Sequence, residues 1–393
     1  MLDAAERALP IEGDCDPRFA AVRDAFAANF RDEGDLGSAV CAIVDGRTVV
    51  DLWGGFVDAE ASRPWRRDTL VNAFSVGKGI LALLALACVE AGELALDAPV
   101  ASLWPEFAAE GKDRLTVRAL LAHRAGLPAL RTPLEPDELY DWDLVCARLA
   151  AQRPWWEPDL AHGYHVNTWG FLVGEVLRRA TGRPVGALLR ERLAAPLDAD
   201  YHWGLAAADH PRVSPSHLPE LPLDADLVAM VGAARGDAEH ETMIRHAYFN
   251  PRGISGFGTV NTAAWRKAVI PSTNGLGSAR GIARVYQALA SSGGAGGVAV
   301  SAALRAEAAR VHSDGDDRVL GRPSRFGLGF QLGRPGKPFG PSAHAFGHHG
   351  YGGSLGLVDP EAGLAFGYVT NRPAVRFRTA RTDRILQALY AAL

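Results

Sequence analysis

Strand-like segments occur near both ends of this 393-residue chain. Residues 39–43 and 48–53 form the first pair, and the dipeptide Asp45-Gly46 between them is typical of a tight β-hairpin. Residues 353–358 and 363–370 form a second pair around a turn that contains proline and glycine. Paired strands at both ends predict one antiparallel sheet to which both termini contribute.

Helical patterns occupy much of the sequence between the two pairs. Residues 75–90 carry apolar side chains at the spacing of a buried helix, with Gly92 just past the end, and residues 279–290 form another helical pattern. Short helical patterns rich in glycine and proline dominate residues 97–273, in which residues 202–241 are predicted to be a loop-rich insertion. Most of the helices therefore fall between the strand-forming ends.

This arrangement predicts an α+β fold, in which helices flank an antiparallel sheet built from both chain ends. The sheet lobe is assigned to residues 1–96 and 274–393, and a mainly helical lobe of residues 97–273 is inserted into it. We expect the two lobes to form a single catalytic domain.

The composition limits the possible partners. Hydrophobic residues make up 48% and charged residues 22%, and the net charge of −4 favours neither nucleic acid nor an anionic membrane. The N-terminal segment has no secretory pattern, and the longest apolar run, residues 80–89, is too short to span a bilayer. Four scattered cysteines without metal-ligand spacing suit reduced thiols. We expect a cytoplasmic protein that acts on a small molecule.

A serine and a lysine open the first helical pattern. Lys78 is one of only four lysines among 41 cationic residues, and Ser75 precedes it by one helical turn. Residues at i and i+3 share a helix face, so the lysine nitrogen can reach the serine hydroxyl. A buried neutral lysine can take the serine proton, which an arginine cannot do. The alternative is an N-cap serine followed by a solvent-facing lysine, but this is the only S-x-x-K among sixteen serines.

Three motifs resemble those of the serine β-lactamases and penicillin-binding proteins, the penicillin-recognising superfamily. The text LVNAFSVGKG, followed by LLAHRAGLPAL at residues 120–130, looks like the class C β-lactamase-related esterases called family VIII carboxylesterases. Residues 155–182 resemble the second motif, in which a tyrosine precedes a helix. Residues 346–372 resemble the third, the equivalent of Lys-Thr-Gly on an inner strand. The resemblance covers most of the chain.

The resemblance implies roles for three residues. Ser75 matches the acylated nucleophile, and Lys78 matches the lysine that helps to deprotonate it. Tyr164 matches the tyrosine that serves as general base and acid. Because a tyrosine ordinarily titrates near pH 10, we expect a Lys78 cation to support its phenolate.

The third motif implies further contacts with the substrate. His348 and Gly350 match the first and third positions of Lys-Thr-Gly, and the N–H of Tyr351 is expected to join that of Ser75 as an oxyanion donor. His349 is either a substrate contact or an outward-facing strand residue.

The region before Tyr164 also supplies candidates. Trp155 and Trp156 precede the Tyr164 loop and are predicted to form an apolar wall for an acyl or aryl group. Single tryptophans of this kind are more often part of the core.

Two departures from the β-lactamase pattern bear on the substrate. Val166 stands where β-lactamases have an amide-binding asparagine, and Asn167, one residue late, is a candidate for a contact with substrate. His348 replaces the lysine that holds a β-lactam carboxylate, and an imidazole is a weaker anion anchor. Both changes favour a serine ester hydrolase that acts through an acyl-enzyme on neutral short-chain or aryl esters, without a cofactor. An acyltransferase, a weak β-lactamase and a non-catalytic penicillin-binding-like protein remain as alternatives.

Two other patterns carry no function. Residues 352–356 spell G-x-S-x-G, the nucleophile elbow of α/β-hydrolases, but that fold needs a histidine later in the chain. All twelve histidines precede Ser354, which we expect in the inner strand or the turn before it. The histidines also lack a metal-binding pattern, so no metal site is predicted.

Overall fold

The computed structural model describes residues 9–218, 237–290, 294–374 and 378–393. The strands are β1 Ile11–Cys15, β2 Gly37–Val44, β3 Arg47–Gly55, β4 Val71–Asn72, β5 Tyr201–His202, β6 Leu276–Gly277, β7 Ser313–Asp316, β8 Pro323–Phe326, β9 Gln331–Leu332, β10 Phe346–His349, β11 Leu355–Asp359 and β12 Leu364–Thr370. The main sheet is antiparallel throughout, with strand order β1-β3-β2-β12-β11-β10-β9-β8-β7. A small three-stranded sheet has the order β4-β6-β5.

Both predicted hairpins are present in the main sheet. Asp45 and Gly46 join β2 to β3 with φ of +48° and +80°, as a tight two-residue turn requires. Gly363, with φ of +59°, ends the turn between β11 and β12. The first and last strand pairs meet where β2 pairs with β12, so Val40 lies opposite Tyr368. The α+β fold with a sheet built from both chain ends is therefore confirmed.

The main sheet is buried on both faces because successive side chains of a strand point in opposite directions. In β2, Val40 and Ala42 join one core, whereas Ala39, Cys41 and Ile43 join the other. Helices near the two chain termini cover the first face, and the long central helices cover the second.

Helices connect and cover these strands. The α-helices are α1 Ala20–Asp32, α2 Val76–Glu90, α3 Val117–Leu121, α4 Trp142–Ala151, α5 Thr168–Thr181, α6 Val185–Leu189, α7 Ala238–Phe249, α8 Ala263–Lys267, α9 Ala279–Ala290, α10 Ala302–Ala309 and α11 Ala380–Tyr390. Short 3₁₀ segments lie at Pro17–Phe19, Val100–Ser102, Pro105–Gly111, Pro136–Tyr140, Ala207–Arg212 and Tyr351–Gly353, and a π-helical turn at Arg190–Ala194 follows α6. No helix in the described ranges is both long and apolar enough to cross a bilayer.

Helix α2 lies in the centre of the molecule and contacts the sheet and several helices. Its side chains from Ile80 to Leu86 are completely buried. Two glycines in its first turn permit close packing: a Cβ on Gly77 would lie 2.4 Å from Pro271 O, and one on Gly79 would lie 1.9 Å from Tyr286 Oη. Larger residues at these positions would push α2 away from its neighbours.

The structure contains more regular elements than the sequence pattern predicts. Strands β1, β7, β8 and β9 extend the sheet beyond the strands that the sequence pattern predicts, since they are short. The predicted insertion at residues 202–241 includes a 3₁₀ segment and the start of α7, while its residues 219–236 lie outside the described part of the chain.

Candidate active site

Ser75 lies at the N-terminal end of α2, beside a cavity of about 670 Å³ that it helps to line. Phe74, the residue before it, also lines the cavity and has φ of +50°. A non-glycine residue in this left-handed region carries backbone strain, which is often found at functional sites. Ser75 is therefore presented to the cavity from a strained turn between β4 and α2.

Lys78 is completely buried one helical turn after Ser75. Its Nζ lies 3.1 Å from Ser75 Oγ, 2.6 Å from Val166 O and 3.1 Å from Ser272 O. Burial holds the pKa of Lys78 well below its ordinary value, because a charged ammonium would lose its hydration. This environment favours the neutral amine.

Tyr164 covers the same lysine with its ring. The distance from Lys78 Nζ to the centre of the Tyr164 ring is 4.8 Å. The Tyr164 hydroxyl is buried and, within the part of the chain that the structure covers, completes no hydrogen bond of normal geometry. Burial raises the pKa of Tyr164, and the nearby Ser75 hydroxyl opposes that rise without cancelling it.

The expected phenolate at Tyr164 therefore needs correction. A Lys78 cation was predicted to support it, yet burial lowers the pKa of Lys78 and raises the pKa of Tyr164. Both shifts arise because the dry interior disfavours either charge. Burial therefore favours the neutral amine and the neutral phenol over the charged pair.

The backbone of Tyr164 is held by a buried carboxylate. Its N–H donates to both oxygens of Asp317, at 3.0 and 3.1 Å. The same carboxylate accepts from the N–H groups of Val319 and Leu320 and from the hydroxyl of Ser324, at 2.8, 2.9 and 2.7 Å. Asp317 thus joins the second motif to residues at the beginning of β8.

Aromatic rings fix the orientation of the Tyr164 side chain. The ring of Phe326 lies parallel to it, at an interplanar angle of 0° and a centroid distance of 5.9 Å. The rings of His123 and His348 lie 5.2 and 5.9 Å from it. Three packed neighbours restrict the ring to one position.

The third motif contributes its residues in different ways. His348 is buried, donates from Nδ1 to His349 O at 2.8 Å, and is not among the described residues that line the cavity. Burial, with a smaller effect of Lys78, lowers the pKa of His348 well below its ordinary value. His349 does line the cavity, and its N–H donates to Gln331 Oε1 at 3.0 Å. His348 therefore packs behind the site, whereas His349 faces it.

Gly350 brings the third motif close to the nucleophile. Its N–H donates to Ser354 O at 2.7 Å, and a Cβ on Gly350 would lie only 2.3 Å from Ala73 O. Because no side chain intervenes, the end of β10 approaches the turn that carries Ser75. Tyr351 follows directly, lines the cavity, and packs edge-on against Phe74 at 5.7 Å.

Asn167 has a supporting role in the wall of the cavity. Its Nδ2 donates to Ala247 O and Ser255 Oγ at 2.8 and 3.0 Å, and its Oδ1 accepts from Thr273 Oγ1 at 2.7 Å. Asn167 lines the cavity, with both N–H groups of its amide already used inside the protein, so a contact with substrate through its Oδ1 stays a prediction.

The predicted tryptophan wall is also wrong for the described cavity. Trp155 donates from Nε1 to Ala129 O at 2.9 Å and stacks under Arg131, while Trp156 is buried and donates to Ala161 O at 3.1 Å. Neither residue lines the cavity. Both satisfy their indole N–H groups inside the protein, as core tryptophans do. The apolar lining comes instead from Phe74, Tyr248, Phe249, Phe257, Leu320, Phe326, Leu332 and Phe339.

The serine of the G-x-S-x-G pattern lies away from the cavity. Ser354 is buried immediately before β11 and does not line the cavity. No group of three or more possible metal ligands occurs among the described residues. These observations leave Ser75 as the serine that is paired with a buried lysine beside the cavity.

Three residues that contact Lys78 or Tyr164 were not predicted from the sequence. Ser272 contacts Lys78 through its carbonyl, and its Oγ accepts from Gly170 N at 2.7 Å. Asp317 holds Tyr164, and Phe326 stacks on it. No local motif marks these residues, because each acts through contacts with distant parts of the chain.

Comparison with known proteins agrees with this arrangement. The family model described as Beta-lactamase matches residues 24–390. The chain is 37% identical over 375 residues to the Esterase/beta-lactamase LipL of Mycobacterium tuberculosis, a match that spans 94% of this chain and 85% of LipL.

Solved structures show the same architecture. The crystal structure of a family VIII carboxylesterase matches with a TM-score of 0.89 and 40% identity, covering 98% of this chain and 100% of that one. A penicillin-binding protein homologue from Caulobacter crescentus matches with a TM-score of 0.87 and 38% identity, covering 98% and 100% of the two chains. The match across nearly the whole sequence confirms the resemblance drawn from the three motifs, and this protein is a member of the Beta-lactamase family of serine hydrolases.

Proposed function

We propose that this protein is a serine ester hydrolase that forms an acyl-enzyme on Ser75, with Lys78 and Tyr164 moving the protons. The observation that carries the proposal is the set of contacts around Lys78 Nζ: Ser75 Oγ and two backbone carbonyls. The carboxylesterase named among the similar structures and the esterase named among the relatives support an ester as substrate.

The hydrogen-bonding capacity of Lys78 supports its role as the base. A neutral amine has two N–H groups and one lone pair. The carbonyls of Val166 and Ser272 provide an acceptor for each N–H, and the remaining neighbour is Ser75 Oγ at 3.1 Å. The lone pair is then directed at the serine hydroxyl, from which it can accept the proton.

Acylation follows from this geometry. Ser75 Oγ attacks the ester carbonyl carbon while its proton passes to Lys78 Nζ. The carbonyl oxygen becomes an anion, for which the N–H groups of Ser75 and Tyr351 are the proposed donors. The carbon–oxygen bond of the ester then breaks, and the leaving oxygen takes a proton through the Tyr164 hydroxyl, which is resupplied by the Lys78 ammonium. The products are the acyl-enzyme and an alcohol.

Deacylation repeats these steps with water. A water molecule gives one proton to Lys78 Nζ and attacks the acyl carbon. Ser75 Oγ then leaves and receives that proton. The products are the carboxylic acid and free enzyme. An alcohol in place of water would give acyl transfer, and product analysis with an added alcohol separates the two outcomes.

Intact-protein mass spectrometry with p-nitrophenyl butyrate tests the proposal. The parent protein and Ser75→Ala are compared, and Ser354→Ala serves as a control serine that lies outside the cavity. We expect p-nitrophenol release and a butyryl adduct on the parent and on Ser354→Ala, with both lost in Ser75→Ala. An adduct that maps to a residue other than Ser75 would refute the assignment.

A further inference from the structure

The Ser75 cavity has a strongly positive wall. Among the described residues that line it, the five charged ones are all cationic, and none is Asp or Glu: Arg322, Arg325, Arg334, Lys337 and Arg378. The whole chain, by contrast, has 45 acidic and 41 basic residues and a net charge of −4. Cations are therefore concentrated at this cavity against the overall charge of the protein.

Two of these five cations have an ion-pair partner among the residues that the structure describes. Arg325 pairs with Asp314 at 2.6 Å, and Arg378 pairs with Asp383 at 3.0 Å. Within the described ranges, the side chains of the other three make no ion pair: Arg322, Arg334 and Lys337. A cluster of cations without counter-ions raises the local concentration of anions and favours an anionic ligand.

Positive charge at the cavity affects the pKa values of two groups in the cavity wall. Desolvation lowers the pKa of His349 to about 3, and positive charge on Arg378 and Arg322 adds to the shift. Arg322 also moderates the rise that burial causes in the pKa of Tyr248. Since both His349 and Tyr248 line the cavity, the charge of Arg322 reaches into the space that a substrate occupies.

We infer that the natural ester carries a carboxylate remote from the scissile bond, which binds at Arg322, Arg334 and Lys337. This inference rests on the proposed function and departs from the expectation of neutral esters. That expectation came from Val166 and from His348, which replaces a lysine, but His348 packs behind the site. The positive charge is supplied instead by the segment that includes β8 and β9.

Matched pairs of esters test the charge preference on either side of the scissile bond. On the acyl side, the p-nitrophenyl monoester of adipic acid is compared with p-nitrophenyl 6-methylheptanoate, which has the same shape without the charge. On the leaving-group side, 4-acetoxybenzoate is compared with its methyl ester. We expect kcat/KM to favour the carboxylate by roughly three- to tenfold in one pair, with a preference that falls between low and high salt.

Variants connect that preference to the named cations. We expect the combined change of Arg322, Arg334 and Lys337 to glutamine to remove the preference, so that the carboxylate ester and the neutral ester of the pair have similar kcat/KM values. Arg190→Gln is the matched control, because Arg190 is an exposed arginine outside the cavity. Equal kcat/KM for the carboxylate and neutral esters in both pairs, or a preference that survives the triple change, overturns the inference.

A binding measurement keeps this test separate from that of the proposed function. Calorimetric titration of Ser75→Ala with the same esters measures affinity without turnover. Tighter binding of the carboxylate ester supports the inference even if the parent protein hydrolyses neither ester, which would refute only the proposed function. Hydrolysis that depends on Ser75 but shows no charge preference refutes only the inference.

Discussion

The carboxylate of Asp317 accepts the backbone N–H of Tyr164 through both of its oxygens, at 3.0 and 3.1 Å, although the two residues are 153 positions apart. Tyr164 carries the hydroxyl proposed to move protons, and Asp317 does not line the cavity. Asp317 is therefore a positioning residue in our interpretation. It holds the backbone of Tyr164 in place through the bonded N–H group.

We expect Asp317→Asn to unfold more easily, by about 1–3 kcal/mol, because an amide nitrogen would face backbone donors that the carboxylate now satisfies. We also expect kcat for p-nitrophenyl butyrate to fall by about tenfold with little change in KM, since the tyrosine would be displaced. Asp316→Asn is the control, because Asp316 is exposed and adjacent. Chemical denaturation and steady-state kinetics measure the two effects, and unchanged kcat would limit Asp317 to stability.

Lys78→Arg tests whether the lysine accepts a proton. An arginine keeps the positive charge but cannot become neutral, so we expect kcat to fall at least about a hundredfold. Lys112→Arg is the matched control: Lys112 is also buried, its Nζ donates to Ala109 O and Gln152 O at 2.5 and 2.8 Å, and it lies outside the cavity. Near-normal turnover of Lys78→Arg would contradict the role of base.

The pH dependence of kcat/KM should reflect the neutral state of Lys78. Burial lowers its pKa, so the active amine form is populated at a pH well below the ordinary lysine range and is lost only on the acid side. Burial raises the pKa of Tyr164, so the phenol does not ionise below about pH 10. We expect activity to rise from acid pH to a plateau that extends into the alkaline range. A rise in activity centred near pH 10 would instead indicate a lysine of ordinary pKa.

Tyr164→Phe removes one hydroxyl from the proposed path of the proton. We expect kcat to fall by about 10²- to 10⁴-fold, with a free energy of unfolding close to that of the parent because the ring packing is retained. Tyr201→Phe is the control, since its hydroxyl is buried but does not line the cavity. Equal turnover by the two variants would leave Tyr164 with a packing role.

A chromogenic cephalosporin should be a poorer substrate than a carboxylate-bearing aryl ester. The cavity cations can attract both carboxylates, but the two N–H groups of Asn167 are already used inside the protein, and Val166 occupies the amide-binding position. We expect kcat/KM for the cephalosporin to be lower by at least about tenfold. Comparable values for the two substrates would show that the site does not need that amide contact.

The core of the fold and the central residues of the site could be predicted from sequence because their signals are local. Asp45-Gly46 determines a hairpin by its backbone geometry, and Ser75 and Lys78 face each other because they are one helical turn apart. Strands β7 to β9 could not be predicted, since they are short and are stabilised by pairing with neighbours. The tryptophans before Tyr164 were assigned to the cavity by proximity in sequence, which does not specify the direction of a side chain.

The sequence by itself thus determined that a lysine nitrogen lies beside a serine hydroxyl at the start of a buried helix. Only the tertiary structure decided the surroundings of that lysine, which lies between the carbonyls of Val166 and Ser272 and whose pKa is lowered by burial. It also decided which cations surround the cavity, since they come from a segment more than two hundred residues after Ser75. The physical reason is that helix periodicity is a property of neighbouring residues, whereas desolvation and charge depend on segments that meet only when the chain folds.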